Sequence, residues 1–151
     1  MELFGEIARS ACEQSQLWSE ALRRDEARER VAVFSPLAPE RFAVGLETVY
    51  EAYLVHYGRS RLFAPQGEDE AVLLGDYLYA HGLVRIAEAG GVDAVAAMAE
   101  LISRCAAARA ADGDSDGDAW VDAARALGGD ASHEEVAAAR ARHSARVASQ
   151  R

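Results

Sequence analysis

The sequence predicts an all-α protein, a compact bundle of about five to six helices. Three observations predict it. Apolar residues recur at spacings of three and four along nearly the whole chain, and no strand-like alternation competes. Proline and glycine interrupt that pattern at Pro36 and Pro39, Pro65 and Gly67, Gly90-Gly91 and Gly128-Gly129. The last third is rich in alanine, the strongest helix former.

The elements follow in order. Phe4, Ile7, Ala11, Trp18 and Leu22 fall on one stripe, which predicts a first helix over residues 2–30. Its second half, Arg23 to Arg30, alternates charge and reads as a solvated face. Pro36 and Pro39 make 34–39 a connector, because the residue before a proline is pushed out of the α region. A second helix is expected over 39–57, with Phe42, Leu46, Val49, Tyr50, Tyr53 and Tyr57 at helical spacing. Gly58 to Asp69 reads as a loop. A third helix over 69–89 is apolar on nearly every side and is expected at the centre of the domain, ended by Gly90-Gly91. A fourth covers 92–110, striped by Val92, Val95, Ala99, Ile102 and Ala106. The predicted division is a helical domain over 1–111, an acidic Gly/Asp linker over 112–118 and a helical extension over 119–151. Within the extension, a short helix over 118–127 closes at Gly128-Gly129. A final helix over 133–148 opens with the capping box Ser132-His133-Glu134-Glu135 and has little to bury, so a peripheral position is expected.

Composition excludes several functions. The 151 residues carry 25 Asp+Glu against 16 Lys+Arg, a formal charge of −9, and every basic residue is arginine. Such a chain fits nucleic acid poorly, since phosphate binding needs a concentrated basic face. Alanine occurs 33 times and neither lysine nor asparagine occurs, a bias of the kind that genomic base composition usually produces. Cys12 and Cys105 make no disulfide framework and read as buried or half-buried thiols. The most apolar stretch, 71–87, is broken by Asp76, His81 and Arg85, so no transmembrane segment is expected. No secretory signal is visible, and the expected location is the cytoplasm.

The chain offers few candidates for chemistry. Asp112, Asp114, Asp116, Gly117 and Asp118 match the front of a calcium loop, yet the twelfth position, which needs a bidentate carboxylate, is Ala123; the stretch reads as a solvated linker. His56, His81, His133 and His143 are not spaced as metal ligands. Glu47 and Glu51 share a helix face at i, i+4 without a carboxylate-x-x-His partner, and read as a polar edge. No nucleophile elbow, phosphate-cradling loop or dinucleotide fingerprint occurs. No catalytic residue is assigned, and the substrate-binding residues are left open.

One pattern is sharper. Leu54-Val55-His56 ends the second predicted helix, and Val72-Leu73-Leu74-Gly75-Asp76-Tyr77-Leu78 opens the third. The pair, at this separation, resembles the middle of the class I trans-isoprenyl (polyprenyl) diphosphate synthases. In that family a Leu-Ile-His helix end precedes the first aspartate-rich motif, and a Gly-Asp-Tyr-Leu signature opens the next helix. The resemblance spans about residues 42–108 and implies the N-terminal half of the isoprenoid synthase fold.

The departures decide what the resemblance implies. The family's first Asp-Asp-x-x-Asp motif, which holds Mg²⁺ against the departing diphosphate, falls on Tyr57, Gly58 and Arg61. A neutral phenol, no side chain and a cation cannot ligate a metal. The second aspartate-rich motif and the family's lysine-containing diphosphate element have no counterpart. The resemblance therefore implies a non-catalytic, regulatory small subunit of a heteromeric polyprenyl diphosphate synthase. It would bind no cofactor itself: Mg²⁺ would be held by a full-length catalytic partner, whose product chain length it would influence. The tyrosines of the second helix are expected either at that interface or in the chain's own core. Two alternatives stand beside this: a stand-alone, self-associating helical module for a prenyl or other apolar ligand, and an enzyme of unrelated chemistry using Glu47, Glu51, His56 and Asp76.

Overall fold

The structure, a computed structural model, describes residues 2–111 and 116–148. Among them are six α-helices and no strand: α1 Leu3–Gln14, α2 Gln16–Ala21, α3 Ala43–Tyr57, α4 Glu68–Ala110, α5 Asp116–Ala126 and α6 His133–Ala148. The chain is all-α, as expected.

The central helix is α3, the second predicted helix, and not the third, for which the sequence predicts that place. A 3₁₀ turn, Glu40–Phe42, leads into it, and the Gly58 N–H closes its last turn on the Leu54 carbonyl at 2.8 Å. Every residue from Gly45 to Val55 is buried. One side joins Val33, Phe34, Ile86, Met98, Leu101, Trp120, Val136 and Val147 in the larger apolar cluster. The other side, through Ala52 and Val55, joins Phe4, Ile7, Trp18, Leu62, Phe63, Leu74 and Leu78. Fully burying a large apolar side chain contributes roughly 1.5–3 kcal/mol, so α3 anchors both halves of the core.

Helix α4 runs antiparallel to α3 at backbone-limited distance. Gly45 faces Ile86, Val49 faces Gly82 and His56 faces Gly75. A Cβ on Gly82 would lie 2.6 Å from Val49 Cγ2, and one on Gly75 would lie 2.1 Å from His56 Nε2. Helices that approach this closely require residues without a Cβ at the contact. The third and fourth predicted helices form the two arms of α4, divided at Gly91, whose φ of 76° is left-handed and suits glycine. The first arm is not apolar-buried all round: Leu74, Leu78 and Ile86 face inward, while Val72, Leu73 and Val84 are 52–57% exposed.

The N-terminal expectation needs correction. The predicted 2–30 helix ends twice. Ser15 is extended and caps α2, its hydroxyl accepting from Leu17 N–H at 3.1 Å. From Leu22 to Val33 the chain is non-helical apart from one 3₁₀ turn, because it lies along the 60–64 loop. Arg23 N–H bonds the Leu62 carbonyl at 2.8 Å, Glu29 N–H that of Arg61 at 3.0 Å, and Ala64 N–H that of Ala21 at 2.8 Å. Tertiary backbone pairing outweighs the high helix propensity of the charged run, in which only Asp25 is a poor helix former.

The C-terminal helices also pack more deeply than predicted. Gly128 (φ 107°) terminates α5, with Gly129 N–H returning to the Ala124 carbonyl at 3.0 Å. The capping box of α6 forms: Ser132 N–H donates to Glu135 Oε1 at 2.9 Å and Glu135 N–H to Ser132 Oγ at 3.2 Å. Far from peripheral, α6 buries Val136, Ala139, His143 and Val147 along one stripe. Helix α5 starts at Asp116, inside the stretch expected to be a linker; Asp112 and Asp114 lie outside the described residues.

Candidate functional site

The two pieces that carry the resemblance meet. Leu54 and Val55 are buried on α3, Leu78 is buried on α4, and between them the His56 ring occupies the space opposite Gly75. His56 Nε2 lies 3.4 Å from the Val72 carbonyl and 3.6 Å from Asp76 Oδ1, and Tyr79 packs edge-on at 5.2 Å. Asp76 is otherwise open to solvent, with two-thirds of its side chain exposed. Tyr77 Oη donates to the Ser10 carbonyl at 3.2 Å, and its ring stacks on Trp18 and His81, tying α4 to α1 and α2. The glycine of the signature is thus explained by the histidine's bulk and the tyrosine by its bond to α1.

The three positions where the family would hold Mg²⁺ have other roles. Gly58 caps α3. Tyr57 is half-buried beside Tyr53, with the Arg109 guanidinium 5.9 Å from its ring, and burial pushes its phenol above the ordinary range. Arg61 is fully buried between Glu47 and Glu51. Its Nη1 lies 2.7 Å from Glu47 Oε1 and its Nε 3.0 Å from Glu51 Oε1. These residues do not fit a divalent cation.

Glu47 and Glu51, read as a polar edge, prove to be fully buried. Two carboxylates against one guanidinium leave an excess negative charge, which backbone donors offset. Glu47 Oε2 accepts from Val33 N–H at 3.1 Å and Ser35 N–H at 2.8 Å. Glu51 Oε2 accepts from Leu62 N–H at 3.0 Å and from the Ser60 hydroxyl. Arg61 also donates to the Val31 carbonyl at 2.8 Å, and its cation sits 4.8 Å above Phe4 and 5.0 Å above Tyr50. Burial opposes its charge, but the two glutamates outweigh it and raise its pKa further. The triad fixes two irregular segments, 31–35 and 60–62, onto α3. One signal in the sequence pointed to it: two acids a turn apart on an otherwise apolar helix require a buried cation.

A second polar node joins four helices. Asp116 at the start of α5 accepts from the Tyr53 hydroxyl, from Arg109 Nε at 3.1 Å and from His143 Nε2 at 3.1 Å. A carboxylate only accepts, so Nε2 donates, and in the neutral ring Nδ1 accepts from Tyr50 Oη at 2.8 Å. Burial pushes the Asp116 carboxyl up, but the bonds from His143 and Tyr53 and the charge of Arg109 outweigh it and hold it at about 2. Tyr50 and Tyr53 are raised above the ordinary phenol range, chiefly by burial. Both tyrosines therefore belong to the chain's own core, stacked at 5.8 Å and set edge-on to Trp120. They are not an interface.

The four candidates for unrelated chemistry are not assembled into one site: Glu47 and Glu51 close on Arg61, whereas His56 faces Asp76. Among the described residues no three His, Cys, Asp or Glu side chains group as metal ligands. Cys105 is buried, which pushes its thiol up to about 12, and Cys12 is half-buried; neither is disulfide-bonded.

The outer surface of α4 carries the exposed large apolar side chains Val72 (52%), Leu73 (57%), Val84 (53%) and Val92 (84%). Leu73, Ala80, Val84 and Ala87 lie on one stripe at spacings of seven, four and three, all exposed. Among the described residues no helix is long and apolar enough to cross a membrane. Against known protein families, characterised proteins and solved structures, the chain finds no match.

Proposed function

We propose that the chain is a non-catalytic, regulatory subunit of a heteromeric polyprenyl diphosphate synthase, cytoplasmic, acting with a full-length catalytic partner on product chain length. One observation supports this reading above the others. The Leu54-Val55-His56 and Gly75-Asp76-Tyr77-Leu78 pieces pack against each other through the His56–Gly75 contact, while Tyr57, Gly58 and Arg61 serve the fold where a synthase would bind metal. The partner would hold Mg²⁺ and the diphosphates. The exposed stripe of α4 offers it a docking face, because an apolar helix face open to water gains free energy when covered.

A mixing assay tests the reading. The chain alone, given allylic diphosphate, isopentenyl diphosphate and Mg²⁺, yields no product. Added to the full-length synthase of the same organism, it raises turnover or lengthens the product. Unaltered product length and rate across a titration of the chain would refute it.

A further inference from the structure

One cleft gathers positive charge. It has a volume of about 410 Å³ and lies between the 29–33 segment, the residue after Gly58, and α6. Its walls are Glu29, Val31, Val33, Arg59, Arg142, Ala145 and Arg146. Among the described residues three guanidiniums face a single carboxylate there, in a chain whose net charge is −9. Arg146 pairs with Glu29. Arg59 and Arg142 form no hydrogen bond or ion pair among the described residues, although the chain holds an excess of acids that could have neutralised them. Arg59 also bears electrostatically on Arg23, which burial and that like charge together push down. The Arg59 and Arg142 side chains are both exposed at the cleft, so an anion that enters it can meet them from solvent.

We propose that this cleft binds a phosphate monoester, its oxyanion held by Arg59 and Arg142 and its substituent lying on Val31 and Ala145. The planar guanidinium matches tetrahedral oxyanions through paired N–H donors, a geometry a lone ammonium lacks. The half-exposed Val31 supplies an apolar wall beside the charges. Because Arg59 precedes the Arg61 triad and Arg142 precedes His143, a bound anion would join the 59–61 loop to α6. The site is independent of any partner subunit and stands or falls separately from the function proposed above.

Thermal unfolding of the full chain tests this, with phenyl phosphate and inorganic phosphate as probes, benzoate as the carboxylate arm and sodium chloride matched in ionic strength. At tenfold excess over its dissociation constant, phenyl phosphate raises Tm by about 3–6 °C. R59Q and R142Q lose that rise, whereas R125Q, on a different face, keeps it. Without a probe, R142Q melts close to the wild-type temperature, since it removes no hydrogen bond or ion pair among the described residues. A rise matched by sodium chloride, retained in both variants, or given equally by benzoate overturns the proposal.

Discussion

Arg61 shows how a single residue changes meaning between sequence and structure. In the resemblance it stands where a metal ligand would be; by geometry it is the counter-ion of Glu47 and Glu51 and the donor that fixes Val31. Removing one partner from a buried ionic group leaves the others uncompensated and typically costs about 3–5 kcal/mol. R61A should therefore lower the urea midpoint severely, and the triple variant R61M/E47Q/E51Q should regain part of the loss. An R61A protein as stable as the wild type would contradict the triad. Asp116 permits a second prediction. Its folded pKa, about 2, lies below its ordinary 3.8, so its contribution is fully present above about pH 4 and is lost as pH falls toward 2. The shift corresponds to about 2 kcal/mol. Chemical denaturation from pH 5 down to pH 2 should show this acid-sensitive limb, and D116N should be less stable at pH 5 with a shallower decline. An unchanged decline in D116N would assign the limb to other carboxylates, such as Glu6, which the bonds from Arg9 and Arg85 also hold at about 2.

Among the elements, the antiparallel pairing of α3 with α4 sets the framework, and the His56–Gly75 contact limits how closely they pack. G75A places a methyl group where the imidazole lies, and overpacking of this kind costs about 1–3 kcal/mol. In an H56A background the same substitution should cost far less, giving a coupling in the double-mutant cycle of about 1 kcal/mol or more. Additive effects would mean that the two residues do not share space. Helix existence was legible in the sequence wherever periodicity combined with a terminator: α3 before Gly58, the two arms of α4 about Gly91, and α6 behind its capping box. The 22–33 segment was not legible, because its conformation comes from pairing with residues 60–64, which no local pattern announces. The depth of α6 was misjudged for a related reason. Its stripe of Val136, Ala139, His143 and Val147 is weakly apolar, and His143 belongs inside only because Tyr50 and Asp116 meet it there. The site was half legible: Gly75 and His56, singled out as parts of the resemblance, do meet, while the ionic partnership of Glu47, Glu51 and Arg61 required the loop to fold back on α3.

The whole molecule has few polar interactions that look like chemistry and many that hold segments together. Among the described residues two buried ionic nodes bind loops and helices to α3, and four of the six exposed large apolar side chains lie on α4, with Leu73 and Val84 on one stripe. That distribution suits a subunit that presents a rigid surface, and it makes the proposed docking face separable from the fold. L73D/V84D alters side chains already more than half exposed, so it should leave the thermal midpoint of the isolated chain nearly unchanged while weakening association at least tenfold. The most direct test is titration calorimetry of the chain against the full-length synthase of the same organism. Wild-type chain should bind with defined stoichiometry, and L73D/V84D should bind far more weakly at unchanged fold stability. No heat and no co-elution with the wild-type chain would contradict the subunit reading.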